Sequence, residues 1–176
     1  MSFSIGCRSQ GESLYIENSY VYGVHSGINS FNDTVINGGI YEGYGHGGIY
    51  FSGCNATHYI FNAIVRESPM PDGYESKNGM HTQNGMYIGG GKNETKIVIY
   101  MDACQIFGTK NSIVLRGTSG EVDNTLYVSN TSIYPTNIRI DSDTHYLYIG
   151  IGCNFNQACT QKPNNIILTQ DQYNKT

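Results

Sequence analysis

The feature that most constrains this chain is an internal repeat of short apolar segments. One apolar position recurs at intervals of 19, 25, 41, 27 and 21 residues, at Ile16, Val35, Ile60, Met101, Val128 and Ile149. A second position follows each of these by five residues, at Val21, Ile40, Val65, Ile106, Ile133 and Asn154. A further strand in each segment opens with Ile28, Ile49, Met86, Ile113, Ile138 and Ile166. Apolar residues also alternate at i and i+2, which is typical of β-strands.

Asparagine often stands two residues after the first apolar position, at Asn18, Asn37, Asn62 and Asn130. Asparagine tolerates left-handed backbone conformations and can hydrogen-bond its own backbone, so this position predicts a bend in each coil. Short strands in repeats of about 20–27 residues predict an all-β solenoid of about six coils, in which neighbours stack and share one core. A twisted β-sandwich with short strands is the alternative fold.

No change of composition divides the chain, which predicts a single domain spanning residues 1–176. Residues 1–13 precede the first coil and are expected to cap it or join it to another segment. Residues 66–84 interrupt the repeat with two of the four prolines and many charges, and we interpret them as an inserted loop. Insertions in solenoids map to one face, which is often the binding face. The polar tail at 171–176 is expected to be frayed or bound to a partner.

Composition argues against several classes of function. Charged residues make up 14% of the chain and the net charge is −4, without a basic run, so no nucleic-acid partner is expected. No apolar stretch approaches the roughly 20 residues of a membrane span, and the first residues do not have the pattern of a signal peptide. The five cysteines include no Cys-x-x-Cys pair, so we expect no metal site, and we expect no cofactor. We expect free thiols, because buried free cysteines are common, and a disulfide between Cys153 and Cys159 in an oxidising compartment is the alternative.

Aromatic residues mark the position that follows the second inward residue of each first strand. In coil order this position holds Tyr22, Tyr41, Arg66, Phe107, Tyr134 and Phe155. Because successive side chains of a strand point to opposite sides, we predict that this column lies on the outer surface. Such a strip can hold the apolar faces of sugar rings, and tyrosine hydroxyls can add hydrogen bonds. A purely structural ladder of cross-strand aromatic pairs is the alternative.

Two glutamates, Glu42 and Glu67, stand one residue further along adjacent coils. If they share a register position, their α-carbons are about 5 Å apart. Two carboxylates near that separation suit the acid and the base or nucleophile of glycoside hydrolysis, and their like charge would raise one pKa. Two solvated turn residues are the alternative interpretation.

Two histidines, His25 and His46, occupy equivalent turns beside Glu42 and are predicted to stack. Such a pair can bind an anionic sugar or a metal, or can serve only as turn side chains. The inserted loop adds further polar residues on the same side of the first three coils. The predicted site therefore has two catalytic residues, Glu42 and Glu67, and a set of substrate-binding residues: Tyr22, His25, Tyr41, His46, Arg66, Asp72, Glu75 and His81.

The coil pattern over residues 14–170 resembles the right-handed parallel β-helix of the pectin-lyase-like superfamily. This group includes polygalacturonases, pectate lyases and the tailspike or depolymerase proteins of bacteriophages. Gly45-His46-Gly47 looks like the Gly-His-Gly segment of polygalacturonases, in which the histidine supports catalytic aspartates, and Arg139-Ile140 is similar to their Arg-Ile-Lys. The paired aspartates have no counterpart one coil earlier, where the chain reads VHSGINS. The composition, rich in Tyr, Asn and Gly, looks more like a phage tailspike shaft.

The resemblance implies a single right-handed parallel β-helix that forms a homotrimer, on a virion tail or outside the cell. The expected function is a module that binds a bacterial surface polysaccharide and, in a catalytic version, cleaves it as a hydrolase or a lyase. In that version Arg66 and His46 position an acidic sugar, and Tyr22 and Tyr41 stack on it. A non-catalytic structural or assembly segment of a virion or surface protein is the second hypothesis. A polygalacturonase- or pectate-lyase-like enzyme is the third.

Overall fold

The computed structural model describes residues 5–9, 11–52, 55–69, 72, 83–89, 95–117, 122–134, 137–154, 158–161 and 163–168. The strands are Ile5–Ser9 (β1), Leu14–Gly23 (β2), Ser26–Ser30 (β3), Thr34–Gly43 (β4), Gly47–Phe51 (β5), Ala56–Phe61 (β6), Ile64–Glu67 (β7), Asn84–Gly89 (β8), Thr95–Asp102 (β9), Gln105–Phe107 (β10), Asn111–Arg116 (β11), Val122–Ser129 (β12), Ser132–Tyr134 (β13), Asn137–Ile140 (β14), Tyr146–Ile149 (β15), Ala158–Gln161 (β16) and Ile166–Leu168 (β17). A 3-10 turn at Pro163–Asn165 precedes β17.

The strands form two parallel sheets in which each strand pairs with its equivalent in the next turn of the chain. The first sheet has the order β1-β3-β5-β8-β11-β14-β16. The second has the order β13-β10-β7-β4-β6-β9-β12-β15-β17, with β2 paired to β4. The predicted all-β parallel solenoid is confirmed, with about five turns instead of six coils.

A sharp bend divides the second sheet, so the solenoid has three walls. Wall 1 is the first sheet. Wall 2 comprises the first halves of β2 and β4, residues 14–17 and 34–37, together with β6, β9, β12, β15 and β17. Wall 3 comprises their second halves, residues 19–23 and 39–43, together with β7, β10 and β13. The residue at the bend has a positive φ of 43° to 75° in successive turns, at Asn18, Gly38, Asn62, Ala103, Asn130 and Gly152. The predicted asparagine bend is therefore confirmed in three turns.

Aliphatic side chains fill the interior as ladders that run along the solenoid axis. On wall 1 the fully buried ladder consists of Ile28, Ile49, Met86, Ile113 and Ile138. On wall 2 it consists of Ile36, Ile60, Met101 and Val128. Burying one such side chain stabilises the fold by about 1.5–3 kcal/mol, so these ladders hold the turns together.

The predicted register is wrong by one residue in the second turn. Ile36, not Val35, continues the inward column of Ile16 and Ile60, and Tyr41 takes the inward place that was predicted for Ile40. Gly38 and Gly39 both have positive φ and replace Asn37 at the bend. A shift of one residue exchanges the two sides of a strand. All side-chain placements between residues 34 and 43 change with it.

Two further boundaries differ from the sequence-based prediction. Ile166 does not close the last coil, because β17 pairs with β15 on wall 2 and so begins another turn. Glu67 is still part of β7, so the insertion begins after residue 67 rather than at 66. At the other end, residues 5–9 within the segment predicted as a cap or junction form β1, the edge strand of wall 1.

Candidate functional site

The two predicted catalytic carboxylates are not stacked on each other. Glu42 lies opposite Tyr22 on one side and Arg66 on the other, whereas Glu67 lies opposite Gly43. The predicted pairing of Glu42 with Glu67 is therefore wrong, because it depended on the register that shifts by one residue in β4. Nothing in this geometry gives the two glutamates the facing arrangement expected of an acid and base pair.

Glu42 is held by two neighbours on wall 3. Its carboxylate accepts a hydrogen bond of 2.6 Å from the hydroxyl of Tyr20 and forms an ion pair with Arg66. The glutamate side chain is 10% exposed and the arginine 44%. The hydrogen bond to Glu42 raises the pKa of Tyr20. These two contacts give Glu42 a structural role on wall 3, as one partner of an ion pair.

Glu67 caps a turn of the following coil. Its Oε2 accepts hydrogen bonds from the backbone N–H of Thr109, at 2.7 Å, and from the Thr109 hydroxyl. Thr109 lies in the connection between β10 and β11, which is equivalent to the turns that carry His25 and His46. Buried carboxylates that accept backbone N–H groups stabilise the conformation of a loop. The arrangement gives Glu67 a structural role in the turn.

The predicted stacking of the two histidines is confirmed. The ring centroids of His25 and His46 are 4.4 Å apart, and the ring of His46 also contacts Tyr50 and Tyr87 at 5.0 and 4.8 Å. Burial lowers the pKa of both imidazoles, that of His46 to about 4. Both rings are therefore neutral near pH 7, and this cluster lacks the positive charge with which a histidine would attract an anionic sugar.

The predicted outer aromatic column is present only in part. Tyr22, Phe107 and Tyr134 are exposed on wall 3, and the rings of Phe107 and Tyr134 stack at 5.7 Å. The prediction for Tyr41 is wrong, since it is fully buried and its hydroxyl donates to the carbonyl of Gly38 at 2.8 Å. An inward tyrosine fits there because its hydroxyl reaches a backbone acceptor at the bend.

The remaining predicted binding residues lie in or near the insertion. Asp72 is exposed and lies in a turn. Glu75 and His81 lie outside the described residues, as does Phe155 of the aromatic column. The predicted convergence of these side chains on one site therefore stays a prediction.

A longer aromatic ladder, which the sequence analysis missed, runs along the outside of wall 2. The rings of Tyr59, Tyr100, Tyr127 and Tyr148 stack in succession with centroid separations of 5.4, 5.0 and 4.8 Å and interplanar angles of 14°, 9° and 16°. Each tyrosine directly precedes an inward residue of the first strand. That spacing is the sequence signal that would have predicted the ladder.

The ladder borders an open groove in the first turns of the solenoid. The groove has a volume of about 480 Å³ and is lined by Ser13, Leu14, Tyr15, Asp33, Val35, Thr57 and Tyr59. A polar recess of about 400 Å³ adjoins it and is lined by Gly11, Glu12, Ser13, Asn32, Asp33 and Asn55. Ser13 and Asp33 belong to both, so the apolar groove opens directly onto polar groups.

Other kinds of site find no support in the described residues. No cluster of three or more His, Cys, Asp or Glu side chains is arranged to hold a metal ion there. Within the same residues, no helix is long and apolar enough to cross a membrane. Cys7, Cys104 and Cys153 are free thiols. In comparisons with known proteins, no family model, no curated protein and no solved structure matches this chain.

Proposed function

We propose that this chain is a carbohydrate-binding module, a parallel β-helix of the phage tailspike kind that recognises a bacterial surface polysaccharide. The observation that carries this proposal is the row of stacked tyrosines on wall 2, with an open groove at one end. The phenol hydroxyls of the row offer hydrogen bonds, and the aromatic side chains that line the groove offer the apolar contact that sugars need.

The geometry of wall 2 suits a linear polymer. Equivalent residues of neighbouring turns repeat about every 4.8 Å along the axis, so the phenol hydroxyls form a regular row. Tyr100, Tyr127 and Tyr148 are partly buried, whereas Tyr59 is 41% exposed. An extended polysaccharide parallel to the axis would meet the same chemical group at each turn.

The contacts of the two glutamates favour binding over cleavage by that pair. Glu42 is engaged by Tyr20 and Arg66, and Glu67 by Thr109. A glycosidase needs two carboxylates that face the same glycosidic bond. We therefore include no hydrolytic step at Glu42 and Glu67 in the proposed function.

A structural or assembly segment is the second candidate, and exposed aromatic side chains on wall 3 favour it. Tyr20 is 65% and Tyr134 66% exposed. Tyr134 stacks on Phe107, and contiguous exposed apolar patches often mark interaction sites for a partner. A homotrimer, as in tailspikes, would bury them while leaving wall 2 open.

A panel of neutral and acidic bacterial polysaccharides tests the proposal. The purified protein is titrated into each polymer, and binding is followed by the change in tyrosine fluorescence and by co-migration on native gels. We expect binding to at least one polymer, without release of reducing ends or unsaturated sugars. Tyr59→Ala on wall 2 should weaken binding at least about tenfold, and Tyr134→Ala on wall 3 should not.

The outcomes separate the two candidates. If only Tyr134→Ala loses binding, the binding surface lies on wall 3, and the proposal is contradicted. Absence of binding across the panel, together with a trimer in sedimentation that Tyr134→Ala dissociates, would favour the assembly function instead.

A further inference from the structure

The tyrosine ladder on wall 2 has one missing member. Tyr15, Val35 and Tyr59 occupy the same outward register position in three successive turns. Beyond Tyr59 every turn up to Tyr148 has a tyrosine at this position. Val35 thus interrupts the column, and Tyr15 and Tyr59 lie two strand spacings apart, which is about 9.6 Å.

This spacing leaves room for one ring. Neighbouring rings of the ladder have centroids 4.8 to 5.4 Å apart. A ring placed above Val35 would therefore lie at a normal stacking distance from both Tyr15 and Tyr59. The groove lined by these residues has a volume of about 480 Å³, which accommodates a single six-membered sugar ring with its substituents.

The gap is also where tyrosine ring faces are accessible. Within the ladder the rings of Tyr100 and Tyr127 have a stacked neighbour on both faces, so a ligand meets only their edges. Tyr59 stacks on Tyr100 and has Val35 on its other side, and Tyr15 is 64% exposed. Sugars bind aromatic residues through the ring face, because their apolar C–H groups pack against it.

Polar groups at the rim indicate which kind of ring fits. One carboxylate oxygen of Asp33 accepts the backbone N–H of Thr57 at 2.8 Å, and its side chain is exposed. Ser13 adds a hydroxyl, and Glu12 lies in the adjoining recess. Neither cavity is lined by Lys, Arg or His. Carboxylates accept hydrogen bonds from sugar hydroxyls but repel an acidic sugar.

We propose that the gap at Val35 binds one neutral pyranose ring, stacked between Tyr15 and Tyr59, with hydroxyl groups donating to Asp33. The inference rests on the proposed carbohydrate-binding function and names its subsite and sugar class. It names a different site from the acidic-sugar site predicted at Arg66 and His46, since Arg66 is paired with Glu42 and the ring of His46 packs against two tyrosine rings.

Filling the gap is the sharpest test. Val35→Tyr completes the ladder and occupies the space of the ligand, and Ile167→Tyr is the matched control, because Ile167 holds the same register position beyond Tyr148. Saturation-transfer NMR is recorded with neutral tetrasaccharides of glucose, galactose, mannose and N-acetylglucosamine, and with tetragalacturonate. Thermal unfolding of each variant establishes that it is folded.

We expect at least one neutral tetrasaccharide to bind, Val35→Tyr to weaken its binding at least about tenfold, and Ile167→Tyr to leave it unchanged. Tyr59→Ala, which removes one side of the gap without filling it, should give a similar loss. Equal binding by wild type and Val35→Tyr would overturn the subsite while leaving the carbohydrate-binding function standing. Binding of tetragalacturonate alone would overturn the neutral-sugar assignment. Binding of none of the sugars by the wild type, or by larger polymers, would overturn both.

Discussion

The bend at Ala103 allows a prediction of stability whose magnitude follows from backbone geometry alone. Ala103 has a φ of +53° and is exposed, and the equivalent positions hold Asn62 and Asn130. A left-handed conformation costs a residue with a Cβ atom about 1–2 kcal/mol, and asparagine tolerates it better because its amide bonds locally. Since the side chain is exposed, replacing it changes little packing. Ala103→Asn should therefore raise the free energy of unfolding by about 1 kcal/mol.

Equilibrium urea unfolding and thermal melting measure this effect. For a chain of this length, about 1 kcal/mol corresponds to a rise in Tm of about 2–4 °C. Ala103→Gly should raise the free energy of unfolding by less, because glycine removes the strain at positive φ but also increases the conformational entropy of the unfolded chain. Ala103→Val should be destabilised, since a branched side chain is strained at positive φ. Gln105→Asn, on an exposed strand position, serves as the control with no expected gain. A stability order in which valine equals or exceeds asparagine at residue 103 would refute this reasoning.

Three further predictions test the packing and electrostatics. Gly48→Ala would place a Cβ atom 2.1 Å from the carbonyl oxygen of Tyr41, so the variant should unfold at markedly lower urea concentration or fail to fold, as circular dichroism would reveal. Glu67→Gln replaces the charged acceptor of the Thr109 N–H, and should lower stability by about 1 kcal/mol in urea unfolding at pH 7. Burial lowers the pKa of His58 to about 3. Because the unfolded chain binds the proton first, near pH 6.5, stability should fall as the pH drops from about 6.5 towards 3, by up to about 1.4 kcal/mol per pH unit, and His58→Phe should remove that part of the slope.

Each of these three predictions has a control variant or an outcome that would contradict it. Gly11→Ala meets no atom within 4 Å and should be neutral. An equal loss in Gly11→Ala and Gly48→Ala would contradict the close-approach argument. Glu17→Gln, at an exposed strand position, should not reproduce the loss of Glu67→Gln. Identical acid sensitivity of wild type and His58→Phe would show that other groups account for the pH dependence.

The solenoid was predictable because its inward positions are chemically uniform. The structure places five aliphatic residues of consecutive turns in one buried column: Ile28, Ile49, Met86, Ile113 and Ile138. A stacked fold demands the same side-chain type at equivalent positions, so the sequence itself carries the repeat. The stacked turns of His25 and His46 followed from the same spacing.

The register of the second turn was not predictable from that pattern. Val35 and Ile36 are adjacent aliphatic residues, and either could have pointed inward. The two glycines at 38 and 39 absorb the difference by adopting positive φ, which alternation of apolar residues does not reveal. Placing Val35 inward also concealed the ladder on wall 2. With Ile36 inward, the preceding residue joins Tyr15 and Tyr59 in one outward column.

The predicted pairing of the two glutamates was wrong for the same physical reason. The pairing of Glu42 with Glu67 required their register positions to coincide, and a shift of one residue instead gave Glu42 the neighbours Tyr22 and Arg66. A list of outward residues does not show which ring faces are covered, because stacking depends on the positions of the rings in three dimensions. Only the structure distinguishes covered tyrosines within the ladder from the accessible ones beside Val35.

The most direct test of the account is to observe the tyrosine rings while a glycan binds. Protein labelled with ¹³C at the tyrosine rings would be titrated with the neutral tetrasaccharide that binds best, and the resonances of Tyr15 and Tyr59 would be assigned with single phenylalanine variants. We predict that these two residues show the largest shifts, with smaller changes along the ladder and none at Tyr22 or Tyr134 on wall 3. Shifts centred on wall 3, or binding without any change at Tyr15 and Tyr59, would contradict the account.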